Sequence, residues 1–233
     1  QKKKIIALER SYHGVTVASA ALTGLPANHT HFDLPVDALG VIRAESPHYY
    51  RGRKDNETER EFCERIIGNL EDLILRENPE TIAAFVAEPI GGASGVVVAP
   101  ENYFPEVENL LTKYDIMLWS DEVICGFGRT GSPFGCQTMG FNPQLVSLAK
   151  QLSSAYLPIS ASVIPEYMHE AMIEPSSKVG VFGHGYTYTG HPAACAAALK
   201  TLEIYKRDNL FEHAAEMGEY LQTRLKEFDS HPL

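Results

Sequence analysis

Basic side chains are scarce in this sequence. Its 233 residues include 20 Lys and Arg but 30 Asp and Glu, so the formal net charge is −10. Proteins that bind a nucleic-acid backbone need clustered basic residues to displace counterions. The only basic run, Lys2-Lys3-Lys4, is typical of a solvated residue stretch that leads into a strand. The composition therefore argues against nucleic acid as a partner.

Long apolar runs and paired cysteines are missing as well. No stretch approaches the roughly 18 consecutive apolar residues of a membrane-spanning helix, so we expect no membrane partner. The four cysteines, at positions 63, 125, 136 and 195, form no Cys-x-x-Cys pair, which indicates reduced, mostly buried thiols and a cytoplasmic location. The first residue is not Met and no signal peptide follows, so we interpret the start as that of a fragment or processed chain.

Short apolar runs rich in Val, Ile and Phe predict buried strands. They cover residues 81–89, 116–124, 145–149 and 160–164. Because these runs are continuous rather than alternating, they favour a mostly parallel sheet that is covered on both faces. No internal repeat or Gly/Ser linker divides the chain, so one continuous domain is expected.

Helical patterns lie between and after these strands. They cover 56–77, 103–114, 192–205 and about 208–230. Asn56 with Glu59 resembles a capping box at the first of them, and Pro192 suits the first turn of the third. Strands that alternate with helices predict an α/β fold with a three-layer αβα arrangement.

Polar residues close several of the predicted strands. They are Glu88, Asp121 with Glu122, and Lys150. Ligands bind at the carboxyl ends of the strands in open α/β sheets. A charge that follows an apolar strand is partly desolvated, which is costly without a partner or a ligand. These residues are therefore the first candidates for a functional site.

Three other motifs do not carry a function. The stretch 126–131 matches Gly-x-Gly-x-x-Gly, but Ser132-Pro133 interrupts the helix entry and Lys150 stands where an acidic residue would bind the ribose, so we predict a tight loop. The glycine-rich stretch 91–95 has no Gly-Lys-Ser/Thr ending and is interpreted as a turn. His29-x-His31 has no third ligand at a suitable spacing, and no metal site is predicted.

Lys150 is the residue with the most specific chemistry. An isolated lysine is usually a surface residue, but this one ends an apolar strand, and Asp121 closes the strand before it. A desolvated lysine has a lowered pKa and can hold an aldehyde as a Schiff base. Pyridoxal 5'-phosphate is the cofactor that combines such a lysine with an aspartate on its ring nitrogen.

These residues belong to a set of motifs in a fixed order. They are Ser11-Tyr12-His13-Gly14, the stretch from Asp121 to Gly131, Lys150 at 29 positions after Asp121, and the stretch from His184 to Pro192. The set resembles the class III aminotransferases of the ω-amino acid/pyruvate type. The resemblance covers nearly the whole chain. It implies the fold-type I architecture of pyridoxal-phosphate-dependent transferases and a homodimer with active sites at the subunit interface.

The resemblance also implies roles for single residues. Lys150 would be the catalytic residue that forms the Schiff base and moves the substrate proton. Asp121 would keep the pyridine nitrogen protonated. Val123 and Tyr12 would pack on the two faces of the ring.

The remaining assignments concern the periphery of the cofactor. His13 belongs to the motif that contains Tyr12, and Glu88 resembles a strand-end glutamate near the ring substituents. Thr187, with the backbone near Tyr186, would reach the cofactor phosphate of the neighbouring subunit.

Each assignment has a structural alternative. The alternatives are a helix or strand-end carboxylate paired with Arg129 for Asp121, ordinary core packing for Tyr12 and Val123, and a capping hydroxyl ahead of Pro192 for Thr187. These alternatives leave the pairing of Asp121 with Lys150 unexplained.

The family's chains extend beyond this one at both ends. The resemblance therefore identifies residues 1–233 as the large cofactor-binding domain, in which the last helix, about 208–230, leads toward a small domain. The upstream phosphate loop and the C-terminal substrate clamp are not in this chain, so we expect weak or no turnover from the 233 residues alone.

The expected reaction is transfer of an amino group from an ω-amino acid, amine or diamine to pyruvate or another keto acid. The alternatives are aminomutase, racemase or decarboxylase chemistry with the same cofactor, and a non-catalytic fragment that retains the fold.

Overall fold

A computed structural model describes residues 1–231, which form two compact units. The first unit contains Gln1–Asp121 and Met139–Gln144, and the second contains Glu122–Thr138 and the residues from Leu145 onward. The single cofactor-binding domain expected over 1–233 stays a prediction. Residues 232 and 233, the end of that predicted domain, lie outside the described residues.

The first unit alternates strands with helices. Its elements are β1 (Lys4–Leu8), α1 (Val17–Leu22), β2 (Val41–Ala44), α2 (Tyr49–Gly52), α3 (Glu59–Glu77), β3 (Ile82–Ala87), β4 (Ile90–Gly91), β5 (Val97–Val98), α4 (Tyr103–Lys113) and β6 (Met117–Asp121). Strands β3 and β6 lie inside the predicted runs, and α4 follows its predicted bounds within one residue. The basic run Lys2-Lys3-Lys4 leads into strand β1, as predicted, whereas strand β2 and helix α1 were not predicted as elements.

Four strands of this unit form a parallel sheet in the order β2-β1-β3-β6. Ile5 is opposite Val41 on one side of β1, and Ala7 is opposite Val86 on the other. Because β2 and β3 lie on opposite sides of β1, the direction of the crossovers reverses between β1 and β3. The carboxyl ends of strands at such a switch point form the crevice in which α/β proteins bind ligands.

Burial of apolar side chains explains why these segments fold as they do. Ile6, Phe85 and Leu118, one from each of three neighbouring strands, are almost completely buried. Phe62 on α3 and Phe104 on α4 are buried as well. Each such side chain contributes roughly 1.5–3 kcal/mol by leaving water, so a strand without polar alternation is stable only in this covered position.

Helix α3 begins later than its sequence pattern predicted. Thr58, not Asn56, is the N-cap, and the capping box joins Thr58 to Glu61. The Glu61 N–H donates to Thr58 Oγ1 over 3.3 Å, and the Thr58 N–H donates to a Glu61 carboxylate oxygen over 2.9 Å. Asn56 has a φ of 62°, whereas an N-cap needs extended backbone, so the predicted box of Asn56 with Glu59 is wrong.

The second unit is mostly helical. Its elements are α5 (Gly135–Thr138), β7 (Leu145–Leu148), β8 (Ala161–Val163), α6 (Glu166–Val179), α7 (Pro192–Arg207) and α8 (Leu210–Leu225). Pro192 is the first residue of α7, as predicted. Strand β8 pairs with β7 in antiparallel register, which corrects its placement among parallel strands. The connection between them contains a 3-10 helix, Lys150–Leu152, and no α-helix that would carry a parallel crossover.

Helix α8 lies within the helical pattern predicted at about 208–230. In the structure Met217, Leu221 and Leu225 on this helix are about half exposed, and none of its residues is buried. The periodicity therefore predicted the helix correctly, but the described residues do not cover its apolar face.

The cysteines are unpaired and mostly buried, as predicted. All four cysteines are free, and three of them are buried. Over residues 1–231, no helix has the length and apolar character needed to cross a membrane.

Candidate active site

Three strand ends of the first unit bring the predicted cofactor residues together. The loop after β1 carries Tyr12 and His13, Glu88 follows β3 directly, and Asp121 is the last residue of β6. Glu88 and Asp121 are both buried, and Tyr12 is half-buried. The site therefore lies at the carboxyl edge of the sheet, where β1 and β3 form the switch point.

His13 and Asp121 form a buried pair. The His13 Nδ1 atom lies 2.8 Å from Asp121 Oδ2, and only 3% of the histidine side chain and 9% of the aspartate side chain are exposed. An ionised carboxylate can only accept, so the bond to it is one that an Nδ1–H would donate. This bond fixes the orientation of both side chains. It also supplies a partner for Asp121 within the unit.

Glu88 joins two loops through its two carboxylate oxygens. The Tyr12 N–H donates to Oε1 over 2.9 Å, and the Gly92 N–H donates to Oε2 over 3.0 Å. Burial raises the pKa of Glu88 above its usual value, and the Asp121 charge acts in the same direction, whereas the two N–H donors and His13 oppose the shift. Glu88 thus holds the backbone of Tyr12 and also interacts electrostatically with His13 and Asp121.

One atom of this cluster has no protein partner. Among the described residues, His13 Nε2 is the buried side-chain nitrogen or oxygen without a hydrogen bond. Buried polar atoms are nearly always paired, and an exception in a crevice indicates a missing polar group. A buried carboxylate with an incompletely bonded histidine therefore fits a polar aromatic cofactor whose ring nitrogen carries a proton.

The predicted residues of the second unit occupy more open positions. Val123 is half-buried in the turn after Glu122. Lys150 begins the 3-10 helix that follows β7 and has a φ of 43°, in the left-handed region that costs a bulky side chain energy. The residue is exposed in the described chain. The desolvated amine expected from the sequence is therefore not present within these residues.

Tyr186 and Thr187 lie in an exposed turn. The Tyr186 N–H donates to Thr189 Oγ1 and the Thr189 N–H donates to the Tyr186 carbonyl, each over 2.9 Å. Tyr186 is 80% exposed and Thr187 is exposed beside it. Thr187 lies four residues before His191, which is the N-cap of α7, and no side chain caps this helix. The alternative role of Thr187 as a capping hydroxyl is therefore not supported.

Glu122 stabilises a loop of the second unit through hydrogen bonds to backbone N–H groups. Its fully buried carboxylate accepts from the Gly135 N–H over 2.8 Å and the Cys136 N–H over 2.7 Å, at the start of α5. Burial, together with the Glu122 charge, raises the pKa of Cys136 to about 12. Glu122 thus closes the loop that runs from the end of β6 to α5.

The substitution Glu122→Gln is expected to lower the free energy of unfolding by about 2–4 kcal/mol. The amide keeps one acceptor oxygen but presents an NH₂ group to a buried N–H, and each unsatisfied buried group costs about 1–3 kcal/mol. Urea unfolding of the two proteins measures the difference. The control is Glu64→Gln on α3, which breaks an exposed pair with Arg60 worth about 0.3–0.5 kcal/mol. Equal effects of the two substitutions would contradict the role of Glu122.

The structure also shows contacts of two residues that were not assigned to the site from their motifs. Thr23 is fully buried, and its hydroxyl accepts from the His13 N–H over 2.9 Å. In the sequence, the only indication of a role for Thr23 was its place as a polar residue at the end of an Ala-rich apolar segment. His29, considered above as part of a sparse His-x-His motif, contacts the carbonyls of Ala20 and Thr23 through Nε2.

The two glycine-rich stretches form turns. Residues 126–131 make a loop in which Gly128 has a φ of 93°, and a Cβ there would lie 2.6 Å from the Phe211 ring. The predicted tight loop is thereby confirmed. Residues 91–95 lie at the turn between the antiparallel strands β4 and β5.

Comparison with known proteins identifies the class. The family described as Aminotransferase class-III matches residues 1–232. The chain is 50% identical over 232 residues to gamma aminobutyrate transaminase 3, chloroplastic, of Solanum lycopersicum, covering 100% of this chain and 44% of that protein. It is 48% identical over 233 residues to vanillin aminotransferase of Capsicum chinense, covering 100% of this chain and 50% of that protein.

Solved structures agree. The fold superposes with a TM-score of 0.96 on a transaminase with L-ala at 50% identity, covering 100% of this chain and 54% of that one. It superposes with a TM-score of 0.95 on the omega transaminase from Pseudomonas jessenii in complex with PMP at 49% identity, covering 100% of this chain and 51% of that one.

The chain therefore belongs to the class III aminotransferase family, and the resemblance inferred from its motifs is confirmed. The fold class of a fold-type I transferase with a mostly parallel sheet is confirmed as well. Class III aminotransferases depend on pyridoxal phosphate, the predicted cofactor. The chain spans about half the length of the curated relatives it matches.

Proposed function

We propose that the protein is a pyridoxal-phosphate-dependent aminotransferase that takes an amino group from an ω-amino acid, amine or diamine and gives it to pyruvate or another keto acid. The observation that carries the proposal is the buried cluster of His13, Asp121 and Glu88 at the switch point of the sheet. A chain that only retained the fold would have no need to bury two carboxylates and an incompletely bonded histidine at this edge.

Each residue of the cluster has a defined task in this proposal. The cofactor, when bound, supplies an electron-accepting ring that stabilises negative charge on the substrate carbon. The Asp121 carboxylate would hold a proton at the ring nitrogen, and His13 Nδ1 would keep that carboxylate oriented. Tyr12, held at its N–H by Glu88, and Val123 would hold the ring between them. Lys150 Nζ would attach the cofactor and move the substrate proton.

The exposed turn of Tyr186 and Thr187 supports a homodimer with shared active sites. Both residues project from the chain without cover in the described residues. In the proposal Thr187 Oγ1 and the backbone near Tyr186 donate to the cofactor phosphate of the second subunit. This arrangement requires two copies to complete one site. The cytoplasmic location expected from the cysteines also stays a prediction.

The relatives' names support the proposed substrate class. They include transaminases of gamma aminobutyrate, which is an ω-amino acid, aminotransferases of vanillin, a transaminase with L-ala and an omega transaminase. Alanine is the aminated form of pyruvate. The gamma aminobutyrate name supports an ω-amino acid donor, and the structure with L-ala supports a pyruvate-type acceptor.

The test is a half-reaction followed by absorption. We expect the purified full-length protein to show a visible band with pyridoxal phosphate, to lose it when γ-aminobutyrate or another amine donor is added, and to regain it with pyruvate. A preparation that stays colourless with the cofactor would contradict the proposal. Product formed at the same rate without any keto acid would contradict it in favour of aminomutase, racemase or decarboxylase chemistry, since only a transaminase needs the acceptor.

A further inference from the structure

Thr23 is a buried polar residue next to the candidate site. It follows α1 directly and has no exposed surface. Its hydroxyl accepts from the His13 N–H over 2.9 Å and lies 3.1 Å from the Gly14 carbonyl and 3.0 Å from the Ser19 carbonyl, to either of which it can donate. One hydroxyl therefore contacts two consecutive residues of the Tyr12-His13-Gly14 segment.

The carbonyl of Thr23 is itself in contact with two side chains. Arg43 on β2 donates to the Thr23 carbonyl over 2.7 Å and also to the carbonyls of Ala21 and Leu22. His29 Nε2 lies 2.6 Å from the same Thr23 carbonyl. The end of α1 is thus attached to the neighbouring strand, so the Thr23 hydroxyl is presented from a fixed support.

The residue after Thr23 pairs with the same loop. The Gly24 N–H donates to the Ser11 carbonyl over 2.8 Å, and the Arg10 N–H donates to the Gly24 carbonyl over 3.0 Å. A Cβ at Gly24 would lie 2.3 Å from the Leu8 carbonyl oxygen, so only glycine permits this approach. Together these contacts bring Thr23 against the loop after β1. In this position the Thr23 hydroxyl accepts the hydrogen bond from the His13 N–H.

We propose that Thr23 is a positioning residue of the cofactor site. By holding the His13 backbone, its hydroxyl sets the position from which the His13 imidazole meets Asp121 and from which the adjacent Tyr12 is presented. The proposal rests on the proposed function, because the residues that Thr23 positions are those assigned to the cofactor. It adds a residue that touches neither the cofactor nor the reacting atoms.

A purely helical role does not account for these contacts. A threonine hydroxyl often bonds to the carbonyl four residues back, as Thr23 does with Ser19. Thr201 on α7 is also buried and bonds in this way to Ala197 over 2.9 Å. Thr23 differs because it also accepts from a second segment. Loss of its hydroxyl leaves the His13 N–H without this acceptor, so the segment must shift to find another.

The experiment compares Thr23→Val, which removes the hydroxyl at constant shape, with Thr23→Ser, which keeps it. Thr201→Val is the matched control. The first readout uses the protein without cofactor: the ¹⁵N shifts of the His13 ring, assigned with a His13→Asn variant, report the bond of Nδ1 to Asp121. The second is the dissociation constant of pyridoxal phosphate. Urea unfolding of all variants measures the loss of stability.

We expect Thr23→Val to move the His13 ring shifts and to weaken cofactor binding about tenfold, the ratio that corresponds to one lost buried hydrogen bond. Thr23→Ser and Thr201→Val should keep both values near those of the unmodified protein. If Thr23→Val does not fold, Thr23→Ala removes the same hydroxyl with less bulk and is judged by the same two readouts.

Two results would overturn the proposal. One is a set of His13 shifts that Thr23→Val and Thr23→Ala leave unchanged. The other is an equal change in Thr201→Val, which would show a general effect of lost stability. The His13 shifts are measured without cofactor, so they test Thr23 even if the protein binds no pyridoxal phosphate, which would contradict the proposed function instead.

Discussion

Replacement of Lys150 by alanine is expected to reduce amino-group transfer by at least about 10⁴-fold. Proton transfer by a placed side chain contributes roughly 10²–10⁴-fold, and in the proposed function Lys150 also attaches the cofactor covalently. The measurement is turnover of an amine donor with pyruvate by the full-length protein, in which all variants of this section are made. A parallel assay treats the cofactor-loaded protein with borohydride and maps the modified peptide, which should contain Lys150.

The control for Lys150 is another lysine of the same unit. Lys178 on α6 forms an exposed pair with Glu174, four residues earlier, and Lys178→Ala removes the same charge from a solvated position. We expect this variant to keep its turnover within twofold, as surface pairs contribute little. Turnover of Lys150→Ala within tenfold of the unmodified protein, or borohydride labelling of a different lysine, would refute the role of Lys150.

Local patterns predicted the elements with long apolar stretches. Strand β3, with Phe85 and Val86 buried, and helix α7, with Pro192 in its first turn, lie where the sequence placed them. The start of α3 was misplaced because Asn56 and Thr58 are both good capping residues, and only the backbone angles decide between them. Strand β2 was missed because its four residues include the charged Arg43.

The direction of β8 depends on information that no local pattern contains. The run 160–164 is apolar in the same way as the parallel strands, and its burial differs, since all three residues of β8 are exposed. An exposed strand beside β7 needs no crossover helix. The absence of a helical pattern between the two runs was the available signal.

In the candidate site, too, some features follow from local motifs and others only from the fold. The resemblance placed Tyr12, His13 and Asp121 near the cofactor, but His13 and Asp121 are 108 positions apart and their direct contact follows only from the order of the strands. The contact of Thr23 with His13 likewise depends on the turn that brings α1 back against the loop after β1. Motifs thus predicted which residues form the candidate site, and the fold determines how they hold one another.

Asp121→Asn is expected to lower turnover by about 10²–10³-fold while the fold is retained. The amide has nearly the same shape and its oxygen still accepts from His13 Nδ1, so the contact at 2.8 Å is preserved. It carries no negative charge, however, and cannot hold a proton at the ring nitrogen of the cofactor. Loss of one placed electrostatic group in a buried site typically costs a factor of this size.

The control is Asp115→Asn, which makes the same change just before β6, where the carboxylate is almost fully exposed and paired with Lys2. This variant should retain full turnover. The visible spectrum of cofactor-loaded Asp121→Asn provides a second measurement, because a ring nitrogen without its proton changes the position of the band. Unchanged turnover and an unchanged spectrum in Asp121→Asn would mean that Asp121 only anchors His13. The charge of Asp121 is the property on which the proposed chemistry depends, since the amide keeps the contact with His13 Nδ1 but cannot hold a proton at the ring nitrogen.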